Sequence, residues 1–379
     1  MPWKDMTMNT QRELLCYRID QNKESVTQVC REMGVSRKTA YKWLKRYRVD
    51  PQAALSELSR RPRHSPHRTG SEIEQSVLTI RDEHRWGGRK IKFRLQELGQ
   101  SVPSIRTVSQ ILKRAGRTVS LLAKQPDEAP MRFERSKPNE LWQLDHLGPR
   151  EIARQRHFGF TVMDDHSRFC LCFDPLVNTS LVSYWPVLWR VFGEFGLPET
   201  ILCDNAFGPR GLGMSHIEMR LIRLGIDPIH GRAYHPQTQG KVERLNGTID
   251  YELFNFKART GQMDHFLEDR STWWRTYNFI RPHEALGDKP PISRYLPSER
   301  RRPDELPAIQ YDIGQTLRKV SQVGDIRFQG TRVSVARCLV GEQVRIEERE
   351  HEIAVFYSWK ELRTISRDKL KTSRRNEIV

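Results

Sequence analysis

The chain has 379 residues, enough for roughly two to four domains and at least one substantial core. Its 64 lysines and arginines outnumber 47 aspartates and glutamates, so the formal net charge is +17. No run approaches the roughly 18 apolar residues of a membrane span, and the N-terminus lacks the apolar segment of a secretory signal. Six scattered cysteines without a C-x-x-C pair suggest neither a disulfide framework nor a four-ligand zinc site. We therefore expect a cytoplasmic protein with no membrane partner.

The positive charge is concentrated at the front of the chain. Residues 1–138 carry 29 basic against 15 acidic side chains, whereas residues 139–300 carry 19 against 20. A basic region joined to a near-neutral one is typical of a nucleic-acid-binding segment attached to another function. A surface of solvated charges is the alternative, but an excess of this size favours nucleic acid.

Residues 1–50 are predicted to form a helix-turn-helix DNA-binding domain. In "VTQVCREMGVSRKTAYKWLKRYR" the apolar side chains can face one small core, Gly34 suits the turn between two helices, and Ser36 can cap the second helix. That helix carries an outward set of side chains that reach phosphates and base edges: Arg37, Lys38, Tyr41, Lys42 and Lys45. A helical bundle with a basic exterior is the alternative, and the turn, the cap and the basic helix together favour DNA binding.

A second helix-turn-helix DNA-binding domain is predicted at residues 71–116. In "VPSIRTVSQILKRAG" Ser104 takes the cap position, and Arg106 and Gln110 lie on the outward face. Two such units in tandem can read a longer stretch of double-stranded DNA than one. Polar linkers that contain proline are predicted on either side, at residues 51–70 and 117–138.

Beyond the second linker the pattern changes to three strands followed by alternating helices and strands. This predicts a mixed α/β sheet with helices on its faces over residues 139–300. Residues 301–379 alternate apolar and polar positions, which predicts a small β barrel. There Arg327, Arg332 and Arg337 are candidate DNA contacts, with a purely structural role as the alternative. The predicted fold is multidomain: N-terminal all-α helix-turn-helix units, a central α/β core and a C-terminal small β barrel.

Three carboxylates lie where a metal site is expected. Asp145 interrupts an apolar strand, where a charge is costly unless it is paired or binds a metal. Asp204 ends a second apolar strand, and sites in α/β sheets form beyond such strand ends. Glu243 lies in the first turn of a predicted helix that can cross the sheet nearby. Each acid alone has a structural explanation, but three oxygen donors together predict Mg²⁺ or Mn²⁺.

Five segments carry a resemblance to a known family: "NELWQLDHLG", "GFTVMDDHSRF", "ETILCDNAFGP", "LGIDPIHGRAYHPQTQGKVERLNGT" and "YNFIRPHEALGDKPPISRY". With these segments in this order, from Asn139 to Tyr295, the chain resembles the DDE transposases of bacterial insertion sequences, whose catalytic domain is shared with retroviral integrases. The front helices and the terminal β module are similar to the family's layout more loosely. One departure is the 38 residues between Asp204 and Glu243, slightly more than is usual in the family.

The resemblance implies a ribonuclease-H-like integrase catalytic core at residues 139–300, an SH3-like barrel after it, and a catalytic, metal-binding triad on Asp145, Asp204 and Glu243. Two divalent ions per active site would serve cleavage at the element's ends and transfer of the freed 3′-OH into target DNA. A metal-dependent nuclease without strand transfer and a non-catalytic, sequence-specific DNA-binding derivative remain alternatives.

The resemblance also implies partners. Beside the third acid, Gln239, Lys241 and Asn246 are expected to contact DNA. The DNA would be double-stranded terminal inverted repeats and a target duplex, bound by a homo-oligomer (a dimer or tetramer) at the nucleoid of a bacterial cell. Asp164 and Asp165 are the rival acids, but they fall at a turn between two strands and are interpreted as structural.

Overall fold

In the computed structural model the chain folds into two compact units, Met1–Arg68 and Thr69–Val379. Within the described part, no helix is both long and apolar enough to cross a bilayer. The structure describes residues 7–51, 57, 68–118, 134–203, 207, 214–230 and 240–367.

The first unit contains three helices, as predicted: α1 (Met8–Asp20), α2 (Val26–Glu32) and α3 (Arg37–Tyr47). Gly34, in the turn before α3, has φ +67°, a conformation that glycine adopts without steric cost. The Ser36 hydroxyl accepts a hydrogen bond from the Thr39 backbone N–H at 3.1 Å and so caps α3. One small core holds the three helices together, built on Leu15, Cys16, Ile19, Val29, Cys30, Ala40, Trp43 and Leu44.

The second helical unit repeats this plan with α4 (Ser71–His84), α5 (Gly88–Glu97) and α6 (Ile105–Arg114). Ser104 caps α6 by accepting from the Thr107 N–H at 3.1 Å, the same geometry as in the first unit. Its core is again small and apolar, with Trp86 buried at the turn between α4 and α5.

The centre of the second compact unit is a mixed five-stranded sheet in the order β3-β2-β1-β4-β5. Neighbours β1–β2 and β2–β3 run antiparallel, and β1–β4 and β4–β5 run parallel. This mixed sheet fits the ribonuclease-H-like fold. The strands are β1 (Leu141–Ile152), β2 (Gln155–Asp164), β3 (Cys170–Leu176), β4 (Thr200–Cys203) and β5 (Asp227–His230).

Helices cover both faces of this sheet. On one face Trp142 and Leu144 pack with apolar side chains of α7 and α8, and on the other Leu147 packs with those of α9 and α10. Because side chains alternate along a strand, Gln143 and Asp145 lie on the same face as Leu147, toward α9 and α10. The helices are α7 (Leu181–Phe195), α8 (His216–Arg223), α9 (Gly240–Ile249) and α10 (Met263–Arg275), and α9 continues into a π-helical turn at Asp250–Phe254.

The C-terminal module is all β, as predicted, but the predicted barrel is not confirmed. Four strands form one sheet in the order β11-β10-β9-β6, and β7 and β8 form a separate hairpin, so the described strands do not close on themselves. The two sheets share one core, which also takes Met214 and Ile222 from the α8 region. The strands are β6 (Thr316–Lys319), β7 (Asp325–Phe328), β8 (Thr331–Ser334), β9 (Gln343–Glu348), β10 (Glu352–Tyr357) and β11 (Lys360–Ser366).

Candidate active site

Asp145 lies in the central strand of the sheet and is hydrogen-bonded to the helix that carries Glu243. Its Oδ2 accepts from the Asn246 side-chain amide at 2.8 Å, and its Oδ1 accepts from the backbone N–H of His146 at 2.7 Å. On the neighbouring strand, Thr161 donates its hydroxyl to the Asp145 carbonyl at 3.1 Å. The strand acid is therefore held in one orientation by donors on two sides.

Helix α9 is pressed against the sheet by its apolar face. Val242, Leu245 and Ile249 are buried at three- and four-residue spacing and pack in the core beneath the sheet. Asn246 belongs to this inward face and is only 7% exposed. Glu243, in the first helical turn, lies on the exposed side of α9. One short helix thus carries both the exposed acid and the amide that holds Asp145.

Two predicted site residues, Asp204 and Gln239, lie outside the described residues. Leu202, two positions before Asp204 in the sequence, is the register partner of Gln143, which lies two positions before Asp145. Within the described residues, no three His, Cys, Asp or Glu side chains converge as a metal site would require. The predicted triad stays a prediction.

The rival acids Asp164 and Asp165 are fully buried and saturated with protein donors. Asp164 accepts from the backbone of Asn139 at 2.8 Å and of Ser167 at 2.7 Å, and burial raises the pKa of its carboxyl. Asp165 accepts from the Gln143 amide at 2.8 Å. Such contacts are those of structural acids, as the turn position of this pair suggested.

Two residues predicted to contact DNA make internal hydrogen bonds beside the candidate site. Lys241 donates to buried Asp165 at 2.6 Å, and burial lowers the pKa of its ammonium group. Asn246 faces the sheet and donates to Asp145. Each side chain is hydrogen-bonded to an internal carboxylate, and the prediction that both contact DNA stays a prediction.

Sequence reasoning missed Gln143 as a support of the site. Gln143 is 1% exposed, its amide N–H donates to Asp165, and its carbonyl accepts from the Val242 backbone N–H at 3.4 Å. Together with the Lys241–Asp165 ion pair, it fixes the start of α9 against the sheet. The available signal was a polar residue in an apolar strand, two positions from Asp145 and therefore on the same face.

The predicted contacts of the two helix-turn-helix units are all at the surface. In the first unit, Lys42 also lies 4.5 Å from the Trp43 ring centroid and 3.6 Å from Glu57. In the second unit, both predicted residues lie on the outer side of α6. The exposed residues are Arg37, Lys38, Tyr41, Lys42, Lys45, Arg106 and Gln110.

Three family models match parts of the chain. An integrase core domain matches residues 224–291, a homeodomain-like domain residues 39–112, and a helix-turn-helix domain residues 14–63. The integrase match contains α9 with Glu243 and Asn246, and the other two lie mostly within the helical units.

Curated proteins similar to this chain include a transposase and retroviral polyproteins. The transposase for transposon Tn552 of Staphylococcus aureus is 22% identical over 381 aligned residues, which cover 88% of this chain and 78% of that protein. The Gag-Pol polyprotein of Baboon endogenous virus (strain M7) is 27% identical over 239 residues, and the Pol polyprotein of Feline endogenous virus ECE1 is 26% identical over 239. Each viral match covers 59% of this chain, which spans only 14% and 22% of those two proteins.

Solved structures superpose loosely on the chain. The simian T-cell lymphotropic virus intasome in complex with PP2A regulatory subunit B56 gamma gives a TM-score of 0.38 at 17% identity, covering 78% of this chain and 96% of that chain. The HTLV-2 integrase catalytic core domain in complex with magnesium (trimeric form) gives 0.34 at 16% identity, covering 42% and 97%.

Proposed function

We propose that this chain is a DNA transposase of the DDE type, which its matches to an integrase core domain and to the transposase for transposon Tn552 support. It cleaves a phosphodiester at the ends of its own mobile element and joins the freed 3′-OH to a target duplex. Asp145, Asp204 and Glu243 are the proposed catalytic residues of both steps.

One observation carries the proposal. The carboxylate of Asp145, in the central strand, is bonded to Asn246 at 2.8 Å, and Asn246 is three residues after Glu243 on the same helix. A strand acid and a helix acid are thereby fixed to one rigid element. The Lys241–Asp165 pair at 2.6 Å holds the first turn of that helix in register with the sheet.

The donor set fits a hard divalent cation. Two carboxylates and a third expected from Asp204 offer oxygen alone, which suits Mg²⁺ or Mn²⁺. Beside Asp145, the Asn246 carbonyl oxygen is buried without a hydrogen-bond partner among the described residues. When bound, such ions supply Lewis-acid stabilisation of the reacting phosphate and acidify water. Two ions per site are proposed.

The chain's own residues orient these groups. The Asn246 amide donates to one carboxylate oxygen of Asp145, and the His146 backbone N–H donates to the other. The carboxylate of Asp145 therefore cannot rotate freely. Exposed Glu243 is accessible from solvent, where a duplex can approach. Asp204 is proposed to complete the set because it directly follows β4, the parallel neighbour of β1.

The helix-turn-helix units are proposed to bind the terminal inverted repeats. Their outward arginine, lysine and tyrosine side chains suit phosphates and base edges. Joining two ends to one target requires at least two copies, so a homo-oligomer, a dimer or tetramer, is proposed on DNA. The proposed location is the nucleoid of the bacterial cytoplasm.

The test is a strand-transfer assay with the full chain, Mg²⁺, a supercoiled plasmid and labelled DNA that carries the inverted repeats flanking its own coding region. We expect wild type to release 3′ ends and join them to the plasmid. Glu243→Gln and Asp145→Asn should lower both products on the order of 10³-fold or more, because several kcal/mol of transition-state stabilisation is lost. Glu268→Gln, at an exposed glutamate of α10, is the matched control.

Each of the other possible outcomes would support a different function for this chain. Joined product from Asp145→Asn would refute the triad. Cleavage without joining by wild type would indicate the metal-dependent nuclease, and binding without either product would indicate the DNA-binding derivative.

A further inference from the structure

A cleft of about 750 Å³ separates the second helix-turn-helix unit from the catalytic helix. Gly87 and Gly88 at the start of α5 line one side, and Gly240, Glu243 and Gly247 of α9 line the other. A Cβ added at Gly87, Gly240 or Gly247 would meet no atom within 4 Å. Both walls are therefore bare of side chains at these points and leave space beside Glu243.

The cleft is strongly basic. Against Glu243 and Glu252, its lining contributes six cationic side chains: Arg81, Arg85, Lys90, Arg117, Arg244 and Arg281. Burial and the neighbouring Arg281 lower the pKa of Lys90 to about 8, although Glu252 lies 3.6 Å away. The cationic side chains that line the cleft therefore outnumber the carboxylates that line it.

Two arginines, on opposite walls of the cleft, are placed to bind a ligand in it. Arg244 is exposed on α9, next to Glu243; its backbone carbonyl accepts from Thr248, but its guanidinium makes no hydrogen bond or ion pair with a described residue. Across the cleft, Arg85 packs its guanidinium 4.4 Å from the Phe256 ring centroid, and its side chain makes no hydrogen bond with a described residue. By contrast, Arg281 is paired with Glu252 at 3.0 Å.

The two walls are fixed to each other. Arg89 of α5 makes a two-pronged ion pair with buried Asp288, at 2.9 and 2.8 Å, and reaches Glu284 at 2.8 Å. Ile280, which follows α10, packs against the apolar core of the second helical unit. The space is therefore a built groove within one compact unit.

We propose that this groove binds a DNA phosphate backbone and guides it to Glu243, with the second helix-turn-helix unit as one wall and α9 as the other. The inference rests on the proposed function only in taking DNA as the substrate. It gives the second unit a task beyond sequence reading: its α4–α5 turn holds the strand beside the catalytic helix. The backbone comes either from the element's end or from the target duplex.

The experiment measures binding of the full chain to labelled end duplex and to unrelated duplex by fluorescence anisotropy across a salt series, without added metal. Arg85→Gln and Arg244→Gln are compared with Arg275→Gln, an exposed arginine of α10 that does not line the cleft. Each groove variant should bind both duplexes more weakly, by about the same factor. It should also reduce the slope of log K against log salt by about 1. The double variant should lose about 5- to 10-fold in affinity and about 2 in slope.

A second arm identifies the source of the strand. The complex with end duplex is formed first, and capture of a labelled plasmid is then measured. If the groove variants bind end duplex more weakly, the groove holds end DNA. If they bind end duplex normally and lose only plasmid capture, the groove holds target DNA. Unaltered thermal unfolding of the variants shows that they are folded.

The proposal is overturned when the double variant binds and captures like wild type, or when Arg275→Gln loses as much as the groove variants. Failure of the proposed function looks different. In that case wild type joins no DNA, while the salt slopes still separate groove variants from control.

Discussion

The two helix-turn-helix units share one local design but differ in their surroundings. Ser36 and Ser104 cap their third helices with the same 3.1 Å hydrogen bond. The first unit forms a compact body of its own, whereas the second is part of the body that contains the five-stranded sheet. Within that body Arg89 of the second unit pairs with Asp288. The same local motif thus forms a separate body in one place and is built into a larger body in the other.

The largest expected effect is at buried Glu252, which lies 3.6 Å from Lys90 of the second helical unit. Arg281→Gln leaves buried Glu252 with Lys90 alone, and breaking a buried pair costs about 3 kcal/mol because one charge is left uncompensated. The measurement is the free energy of unfolding in urea. Arg48→Gln is the control in the first unit, since its pair with Asp20 is exposed and worth less than about 1 kcal/mol. Equal losses would contradict the expected difference between a buried and an exposed ion pair.

The next effect concerns DNA reading. Arg37→Ala with Lys42→Ala should weaken binding to end DNA about 10-fold or more, since each contact to a base edge or phosphate contributes roughly 1–3 kcal/mol. Both side chains are exposed, so thermal unfolding should not change. Affinity for end duplex relative to unrelated duplex is measured. Unchanged affinity and preference would move end recognition away from the first unit.

The caps provide a matched pair. Ser36→Ala and Ser104→Ala each remove one side-chain acceptor from a helix N-terminus and should cost about 1 kcal/mol of local stability. Hydrogen exchange resolves the two units separately. We expect faster exchange confined to residues 7–51 for the first variant and to the second helical unit for the other. Protection lost across the catalytic sheet in Ser36→Ala would contradict the division into two bodies.

The smallest effect is a pH dependence at Lys90. Its neighbours are Arg281, Glu252 and Arg244, and its pKa is lowered from 10.5 to about 8. Since the folded state binds the proton more weakly, the penalty is fully present below pH 8 and is relieved as pH rises toward 10.5. Between pH 7.5 and 9.5 wild type should gain on the order of 1 kcal/mol or less relative to Lys90→Met. Parallel urea midpoints for both proteins across this range would contradict it.

Local chemistry made much of the fold predictable. Apolar spacing, Gly34 and the two serine caps located the two helical units, because these signals act within a few residues. The sequence also placed Asp145 in an apolar strand and Glu243 in the first turn of a helix, and the structure has both there. The barrel was the least predictable element, because closure depends on which strand edges meet and not on alternation within each strand.

The sequence by itself determined the resemblance to a transposase family, the two helical repeats and the acids proposed for catalysis, since each is a pattern of residue types along the chain. Only the tertiary structure decided that Asn246 and Lys241 hold Asp145 and Asp165, because helical spacing cannot tell which face of α9 meets the sheet. It likewise decided that Arg89 pairs with Asp288, 199 residues away. Contacts at such separation depend on how whole elements pack, which no local signal encodes.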